Sequence, residues 1–304
     1  MVVIVAVLFA VLAALFFSLQ GVASRKAVIG KEVIPGAFLS MTLGVPLLLP
    51  IIFWTGDVYT IFQTSPKSLL LLAAMGLLQY VAGIGLYIKA VKMIGNTRST
   101  PIRETSLIHS VLFGVILLNE TISLLSTLAI VLIIFGVLMS SISGEAVSQG
   151  QKRNFLRSNL FKGIMIGLVS ASFWGFAPIL IKSALPGVSS PLMATWFSFV
   201  FGAIGWILIL VGTRKVSGIR RLGKSSITLF LVAGVMTAVA QLFRFSALGL
   251  GAVVLVVPVI LGVNPIFSLI LSAILIRDIE GINKFVIIGI IVSAIGAVLV
   301  ARGI

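Results

Sequence analysis

The segment Asn96–Glu120, NTRSTPIRETSLIHSVLFGVILLNE, is long enough to span a membrane, yet it contains Arg98, Arg103, Glu104 and His109. A charged side chain at the centre of a spanning helix costs roughly 2.5–3.5 kcal/mol on insertion scales, so it normally faces a partner or a water-filled space. The segment therefore predicts a spanning helix with a polar face directed into the protein.

The remainder of the chain is equally apolar. It has 304 residues, of which 60% are hydrophobic, against roughly 45–50% in soluble domains. Runs of about 20 apolar residues, the length that crosses a bilayer core, recur along it. They cover residues 3–24, 34–54, 68–88, 96–118, 122–142, 160–182, 191–212, 226–247, 252–276 and 284–301. The sequence thus predicts an all-α integral membrane protein with ten transmembrane helices.

The net charge of +15 is carried mainly by alternate connections between these runs. The positive-inside rule places such connections in the cytoplasm, so both termini are predicted to lie outside the cell membrane. Charges at these positions suit contact with anionic lipid headgroups. We therefore expect membrane lipids as partners and no nucleic acid.

Several classes of chemistry find no support in the sequence. It has no cysteine, one histidine and seven acidic residues, too few and too scattered for a metal site built by the protein. It also has no phosphate-binding glycine loop and no recognisable catalytic triad. We expect no cofactor, no metal, no enzymatic activity and no ATP-driven pumping.

The two halves of the chain resemble each other at an offset of about 156 residues. The matched positions are Phe17 and Phe173, Lys26 and Lys182, Pro35 and Pro191, Gly76 and Gly234, Ala90 and Ala247, Pro101 and Pro258, and Glu120 and Asp278. We divide the chain into a first five-helix repeat, 1–143, a polar cytoplasmic linker, 144–159, and a second five-helix repeat, 160–304. An odd number of crossings inverts the second repeat, as in many secondary transporters that hold their site near the membrane midplane.

These features resemble the EamA-type branch of the drug/metabolite transporter superfamily. The resemblance rests on the two five-helix repeats, the segment PIRETSLIHSVLFG, and the acidic residues that end LLNE at 117–120 and LIRD at 275–278. It implies a central cavity lined mainly by the third and fourth helices of each repeat, with the fifth helices at the edge. Small four-helix members of the superfamily use a glutamate in the first helix for proton coupling, and residues 3–24 contain no acid.

Within the quoted segment, Asn96, Ser99, Arg103, Ser106 and Ser110 follow helical spacing and form one polar stripe. We interpret the stripe as the wall of a hydrated space and place Ser99 and Ser106 in the substrate-binding site.

Arg103 offers paired donors for a carboxylate or phosphate of the substrate, and Glu104 is able to bind an amino group or a proton. The alternative is a structural pair in which neither residue touches substrate. His109 lies deeper and joins the predicted site. Because Glu104 and His109 are the in-membrane groups able to carry a proton, coupling to protons and exchange against a counter-substrate both stay open.

The other predicted substrate-binding residues are Gln79, Tyr80, Tyr87, Trp174, Gln241, Arg244 and Asn264. Tyr80 and Tyr87 are seven residues apart and are expected on one helix face, with Gly83 and Gly85 allowing close helix approach. For Arg244 there are two interpretations, an anion contact or outer gate, and an arginine that reaches toward lipid headgroups. Pro101, Pro258 and Pro265 are predicted hinges, since proline removes a backbone donor and kinks a helix.

Together these observations predict a secondary transporter, a monomer or homodimer, that moves a small polar, zwitterionic or anionic organic metabolite, amino-acid-like or similar, across the cell membrane by alternating access. The alternatives are a membrane-embedded enzyme that uses Glu104 and His109 as acid and base, and a non-transporting scaffold or lipid-binding protein. In the latter case the polar stripe has to be fully paired within the protein.

Overall fold

A computed structural model describes residues 2–28, 33–94, 99, 102–142, 155–213, 218–219, 222–275 and 284–302. Across these ranges the regular structure is helical, and no strand occurs in them. The all-α prediction is confirmed for the part of the chain that the structure describes.

Twelve α-helices are defined in the described residues, and we number them in chain order. They are α1 (Val2–Val28), α2 (Val33–Thr42), α3 (Gly44–Thr55), α4 (Pro66–Met75), α5 (Ile84–Ile94), α6 (Ser106–Leu118), α7 (Leu124–Ile142), α8 (Phe155–Ala184), α9 (Pro191–Gly212), α10 (Lys224–Leu250), α11 (Val253–Leu275) and α12 (Lys284–Arg302). A π-helical segment, Gly76–Gly83, joins α4 to α5, and short 3-10 turns cover Asp57–Gln63 and Leu185–Gly187.

The predicted spans coincide with these helices. In the described ranges, seven helices are long and apolar enough to cross a membrane, and two shorter apolar helices cover Leu124–Met139 and Ile287–Ala301. The fourth predicted span, 96–118, is described at Ser99 and from Ile102 onward, and α6 is its main helix. The chain is a multi-pass helical protein, and the number ten stays a prediction.

Local sequence explains where several helices begin and end. Ser65 and Ser190 each precede a proline and accept a hydrogen bond from the backbone three residues on, so both cap a helix start. Gly56 and Asn119 adopt left-handed backbone angles (φ 77° and 53°) and end α3 and α6. These four caps lie in connections on one face of the molecule, which we call the Glu120 face after Glu120 in the α6–α7 connection.

The first span of each half packs against the third and fourth spans of the other half. The first span, α1, packs along α10 and α11, which carry the third and fourth spans of the second half. Its counterpart α8 packs along α4, α5 and α6, which carry the third and fourth spans of the first half. Contacts of this kind are expected from two similar five-span units, and the proposed limits of those units stay a prediction.

The fifth and tenth spans pair at the edge of the bundle. α7 packs mainly along α12, with Gly136 directly against the backbone of Gly289 and Ser293. Glycine permits this approach because it has no side chain. Nothing is described for residues 143–154, where most of the predicted linker lies, and α8 already begins at Phe155.

Candidate functional site

Arg103 and Glu104 form an ion pair in the helical residues immediately before Thr105 and α6. The Arg103 Nη2 lies 2.5 Å and its Nε 3.2 Å from Oε1 of Glu104. Their side chains are 34% and 15% exposed, so the pair is only partly shielded. The ion pair that the structural alternative requires is present and carries no net charge, and whether either residue also touches substrate stays a prediction.

Two aromatic rings accompany the Arg103 guanidinium. Its central carbon lies 5.3 Å from the ring centroid of Tyr87 and 5.8 Å from that of Trp174. Cations at this distance are attracted by the electron-rich ring face. The structure thus brings together four predicted site residues from three spans: Tyr87, Arg103, Glu104 and Trp174.

The seryl part of the predicted stripe does not line open space. Ser99, Ser106 and Ser110 are all buried, and α6 approaches α8 so closely that a Cβ at Gly175 would lie 2.8 Å from the Ser106 carbonyl oxygen. Serine side chains occur at close helix contacts as well as next to water, and here they lie at a helix contact. In this structure Ser106 and Ser110 lie at the contact with α8, and a place for the stripe in the substrate-binding site stays a prediction.

Of three further residues of the fourth span, one has local partners and two lie outside the described residues. The His109 Nδ1 is 3.0 Å from the carbonyl oxygen of Thr105, one helical turn earlier, and its ring lies near Phe113. Asn96 and the predicted hinge Pro101 lie outside the described residues.

Glu104 also borders a crevice between α6, α7 and α11. Its lining is largely apolar and consists of Glu104, Thr105, Leu107, Ile134, Val137, Leu138 and Leu261. Since Glu104 is the one charged group of this lining, the crevice offers little for recognition of a polar solute.

The second polar centre is built around Arg244 on α10. Its side chain is buried, at 8% exposure, and Nη1 donates to Oε1 of Gln79 at 3.2 Å. Within the described structure no carboxylate pairs with this guanidinium. The interpretation of Arg244 as a residue that reaches toward lipid headgroups is therefore wrong, because the side chain points across the bundle to the π-helical segment.

Tyr80, next to Gln79, is fixed from several sides. Its ring stacks on Phe199 with centroids 5.2 Å apart, its hydroxyl lies 3.5 Å from the Ser198 hydroxyl, and its backbone carbonyl accepts from Trp206 Nε1 at 2.9 Å. Nothing in the sequence indicated that Ser198, Phe199 and Trp206 contact the site, since each is an ordinary residue of an apolar span. They brace the segment that presents Gln79.

The expected common face of Tyr80 and Tyr87 is not formed. Tyr80 packs on α9, whereas Tyr87 lies beneath Arg103. The π-helical segment between them winds more loosely than an α-helix, so residues seven apart lose their alignment. Of the two glycines expected to allow close approach, Gly83 meets Trp174, while a Cβ at Gly85 would meet nothing within 4 Å.

Two buried polar atoms of the site accept or donate no hydrogen bond within the described structure. They are Oε1 of Gln241, three residues before Arg244, and Nε1 of Trp174. Most buried polar groups in proteins are paired, so such atoms call for an explanation such as ligand binding. Both belong to the predicted site.

The two polar centres and Trp174 lie at successive levels of one helix. Gln79 contacts Arg244, Gly83 meets Trp174, and Tyr87 lies beneath Arg103. Even at the α-helical rise of about 1.5 Å per residue, Gln79 and Tyr87 are at most about 12 Å apart along the axis. The indole of Trp174 therefore lies between two arginine-containing centres. Because Gln79, Gln241 and Arg244 are buried, the predicted central cavity is closed at their level.

Asn264 lies at a contact between α11 and α1, and two predicted hinge prolines lie within α11. The Ser18 hydroxyl lies 3.0 Å from the Asn264 carbonyl oxygen and 3.1 Å from its Oδ1, joining α11 to α1. Pro258 and Pro265 lie inside α11, which continues through both. Whether they act as hinges stays a prediction. Nowhere in the described ranges do three His, Cys, Asp or Glu residues meet as a metal site.

A set of contacts on the Glu120 face, which we call the Glu120–Lys182 clasp, was not predicted. The Glu120 carboxylate accepts from the backbone N–H groups of Val253 and Val254 at 2.8 and 2.9 Å, and Lys182 Nζ donates to the carbonyls of Gly251 and Leu248. The repeat had paired both residues with counterparts in the other half, which was a signal for a shared role.

Comparison with known proteins agrees with this architecture. The model of the EamA-like transporter family matches residues 4–142 and 161–302, which is most of the chain in two segments. A solved structure titled "Crystal structure of protein" is similar with a TM-score of 0.76 and 14% identity, over 97% of this chain and 95% of that one. A search of curated protein sequences gives no match. At this identity the structural likeness shows the fold alone.

Proposed function

Because the chain belongs to the EamA-like transporter family, it is a membrane transporter of the drug/metabolite type, and we propose that it is a secondary transporter with alternating access. Its substrate in this proposal is a small polar, zwitterionic or anionic metabolite that binds between the two halves of the bundle. The site comprises the Arg244–Gln79 and Arg103–Glu104 centres and Trp174 between them.

One observation carries the proposal, the buried and uncompensated charge of Arg244. An isolated charge in a low-dielectric interior is strongly unfavourable unless a partner neutralises it. In the described structure the guanidinium has Gln79 as hydrogen-bond partner and no carboxylate. Ionisable residues within a membrane are normally functional, and an anionic group of a substrate would supply the missing charge.

The unequal state of the two lysines related by the repeat supports alternating access. Lys182 is engaged with the carbonyls at the α10–α11 turn. Lys26, its counterpart at the opposite end of the bundle, is exposed and donates no hydrogen bond in the described structure. A transporter closed on one side is expected to show such asymmetry between equivalent positions, since its two repeats adopt different conformations.

Uptake into proteoliposomes tests the proposal. Purified protein is reconstituted and offered labelled amino acids, nucleosides, sugars and organophosphates, with protein-free liposomes for comparison. We expect saturable uptake of at least one solute in wild type and its loss in Arg244→Gln. The exposed Lys67→Gln variant is the matched control for removal of a positive charge. If no solute enters above the rate of protein-free liposomes, the proposed function is wrong.

A further inference from the structure

The side chains around Arg244 offer a specific combination of donors and acceptor. We infer that Gln79, Gln241 and Arg244 bind the head group of an α-amino or α-hydroxy acid, a carboxylate with an N–H or O–H donor on the adjacent carbon. This inference rests on the proposed transport function and names its substrate class. It assigns the carboxylate to Arg244 in place of Arg103, to which the sequence pointed.

Arg103 is already neutralised, whereas Arg244 is not. Arg103 forms its ion pair with Glu104, so a substrate anion would have to compete with that carboxylate. Arg244 carries five N–H donors and no acceptor, and one of them is used by Gln79. Its remaining donors suit bidentate binding of a carboxylate.

The amide of Gln79 adds to this donor set. Arginine cannot accept a hydrogen bond, so the amide must turn its oxygen toward Arg244, as is found. Its NH2 group is thereby directed elsewhere and donates no hydrogen bond in the described structure. Guanidinium and amide together form a centre of donors that requires an acceptor, and a carboxylate has two oxygens to accept them.

Gln241, next to this centre of donors, presents an acceptor oxygen. Its Oε1 is buried and accepts nothing from the described residues, so it is available to a donor. Residues three apart on a helix lie on one face with Cβ atoms about 5–6 Å apart, which places Gln241 beside Arg244. A substrate that meets both needs has an ammonium or hydroxyl group close to its carboxylate.

The charge at this centre favours a monoanionic group. Arg244 is the buried guanidinium of this centre, and Arg103 is already paired with Glu104. A carboxylate balances one guanidinium, while a phosphate dianion would leave a buried negative charge unpaired. Phosphate esters are therefore disfavoured relative to amino and hydroxy acids.

The test compares head groups that share one side chain. Thermal unfolding of the detergent-purified wild type is followed with the common amino acids and lactate to find a stabilising compound. If that compound is leucine, its analogues are 4-methylpentanoate, 3-methylbutylamine and 2-hydroxy-4-methylpentanoate. We expect the amino or hydroxy acid to bind at least about tenfold more tightly than the acid without a donor and the amine without a carboxylate.

Substitutions test recognition of the carboxylate and of the adjacent N–H or O–H donor separately. Gln241→Leu is expected to bind the amino acid and the deaminated acid with similar affinity, an effect that mere loss of packing would not produce. Arg244→Lys is expected to lose at least about tenfold in affinity for both acids, because lysine lacks the paired donors. Gln63→Leu, at an exposed glutamine, is the matched control and should retain wild-type preference.

The outcomes distinguish this inference from the proposed function. Saturable uptake of a nucleoside, sugar or phosphate ester, without binding of any amino or hydroxy acid, would overturn the inference and leave the transport function in place. Full discrimination between the two acids in Gln241→Leu would also overturn it. Absence of uptake for every solute class would contradict both the inference and the proposed transport function.

Discussion

Glu120 and Lys182 hold opposite ends of the same turn, although they come from different halves of the chain. Lys182 binds the carbonyl groups that end α10, and Glu120 binds the N–H groups that begin α11. Each charge complements the helix end that it meets, since carbonyl ends carry partial negative and N–H ends partial positive charge. The turn between the eighth and ninth spans is thus tied to both the fourth and the sixth span.

Glu120→Gln should therefore destabilise the protein. A glutamine side chain has one acceptor oxygen, so it satisfies one of the two N–H groups and brings no charge to the helix start. Hydrogen bonds to charged groups contribute about 1.5–3 kcal/mol, and we expect a loss of that order. The measurement is thermal or denaturant unfolding of purified protein in detergent, with the exposed Lys67→Gln variant as control.

A double-mutant cycle with Lys182→Met shows whether the two residues act as one unit. Both stabilise the same turn and their charges interact, so the two effects should deviate from additivity by about 0.5 kcal/mol or more. Strict additivity would mean that Glu120 and Lys182 stabilise the turn independently.

The positions of the helices followed from apolar length, but their internal irregularities did not. The seventh span was predicted at 191–212 and α9 covers Pro191–Gly212. The break at Leu43 between α2 and α3 and the π-helical segment at Gly76–Gly83 were not predicted. Hydrophobicity averaged over a span does not register how tightly the backbone winds, and these local changes depend on contacts with other helices.

The sequence indicated which polar residues lie within the bundle, but it did not indicate which residues they contact. Arg244, Gln79 and Gln241 were singled out because polar groups are costly in a membrane. The hydrogen bond between Arg244 and Gln79 joins residues 165 positions apart, and no spacing rule connects them. Ser106 and Ser110 show the converse, because a serine at helical spacing fits a wet wall and a tight helix contact equally well.

Gly175→Ala tests the contact between α6 and α8. An added Cβ would lie 2.5 Å from the His109 Cβ and 3.0 Å from the Ser110 backbone nitrogen, so the helices must separate. Overpacking typically costs about 1–3 kcal/mol, and unfolding of the purified variant should show a loss of that size. Gly85→Ala adds the same methyl group where nothing lies within 4 Å and should be at least as stable as wild type, since alanine favours a helix over glycine. Equal stability of the two variants would contradict the tight contact at Gly175.

Variants of the Arg103–Glu104 pair decide between its substrate-binding and structural interpretations. Arg103→Ala should reduce proteoliposome uptake at least about tenfold if the guanidinium holds substrate in place. Single changes leave a partly buried charge without its partner, so Arg103→Ala combined with Glu104→Ala is the informative variant. Uptake that stays low in this double variant supports direct binding. Recovery of uptake to wild-type rates would show that the pair is structural.

The orientation in the membrane is open to a direct test because the chain has no cysteine. Gln63, in the connection that follows α3 on the Glu120 face, and Lys224, at the start of α10, are both exposed. The charge distribution places Gln63 outside and Lys224 in the cytoplasm. A membrane-impermeant maleimide added to intact cells should therefore label Gln63→Cys and label Lys224→Cys only after the cells are opened. The reverse pattern would place both termini inside and make the Glu120–Lys182 clasp a feature of the cytoplasmic face.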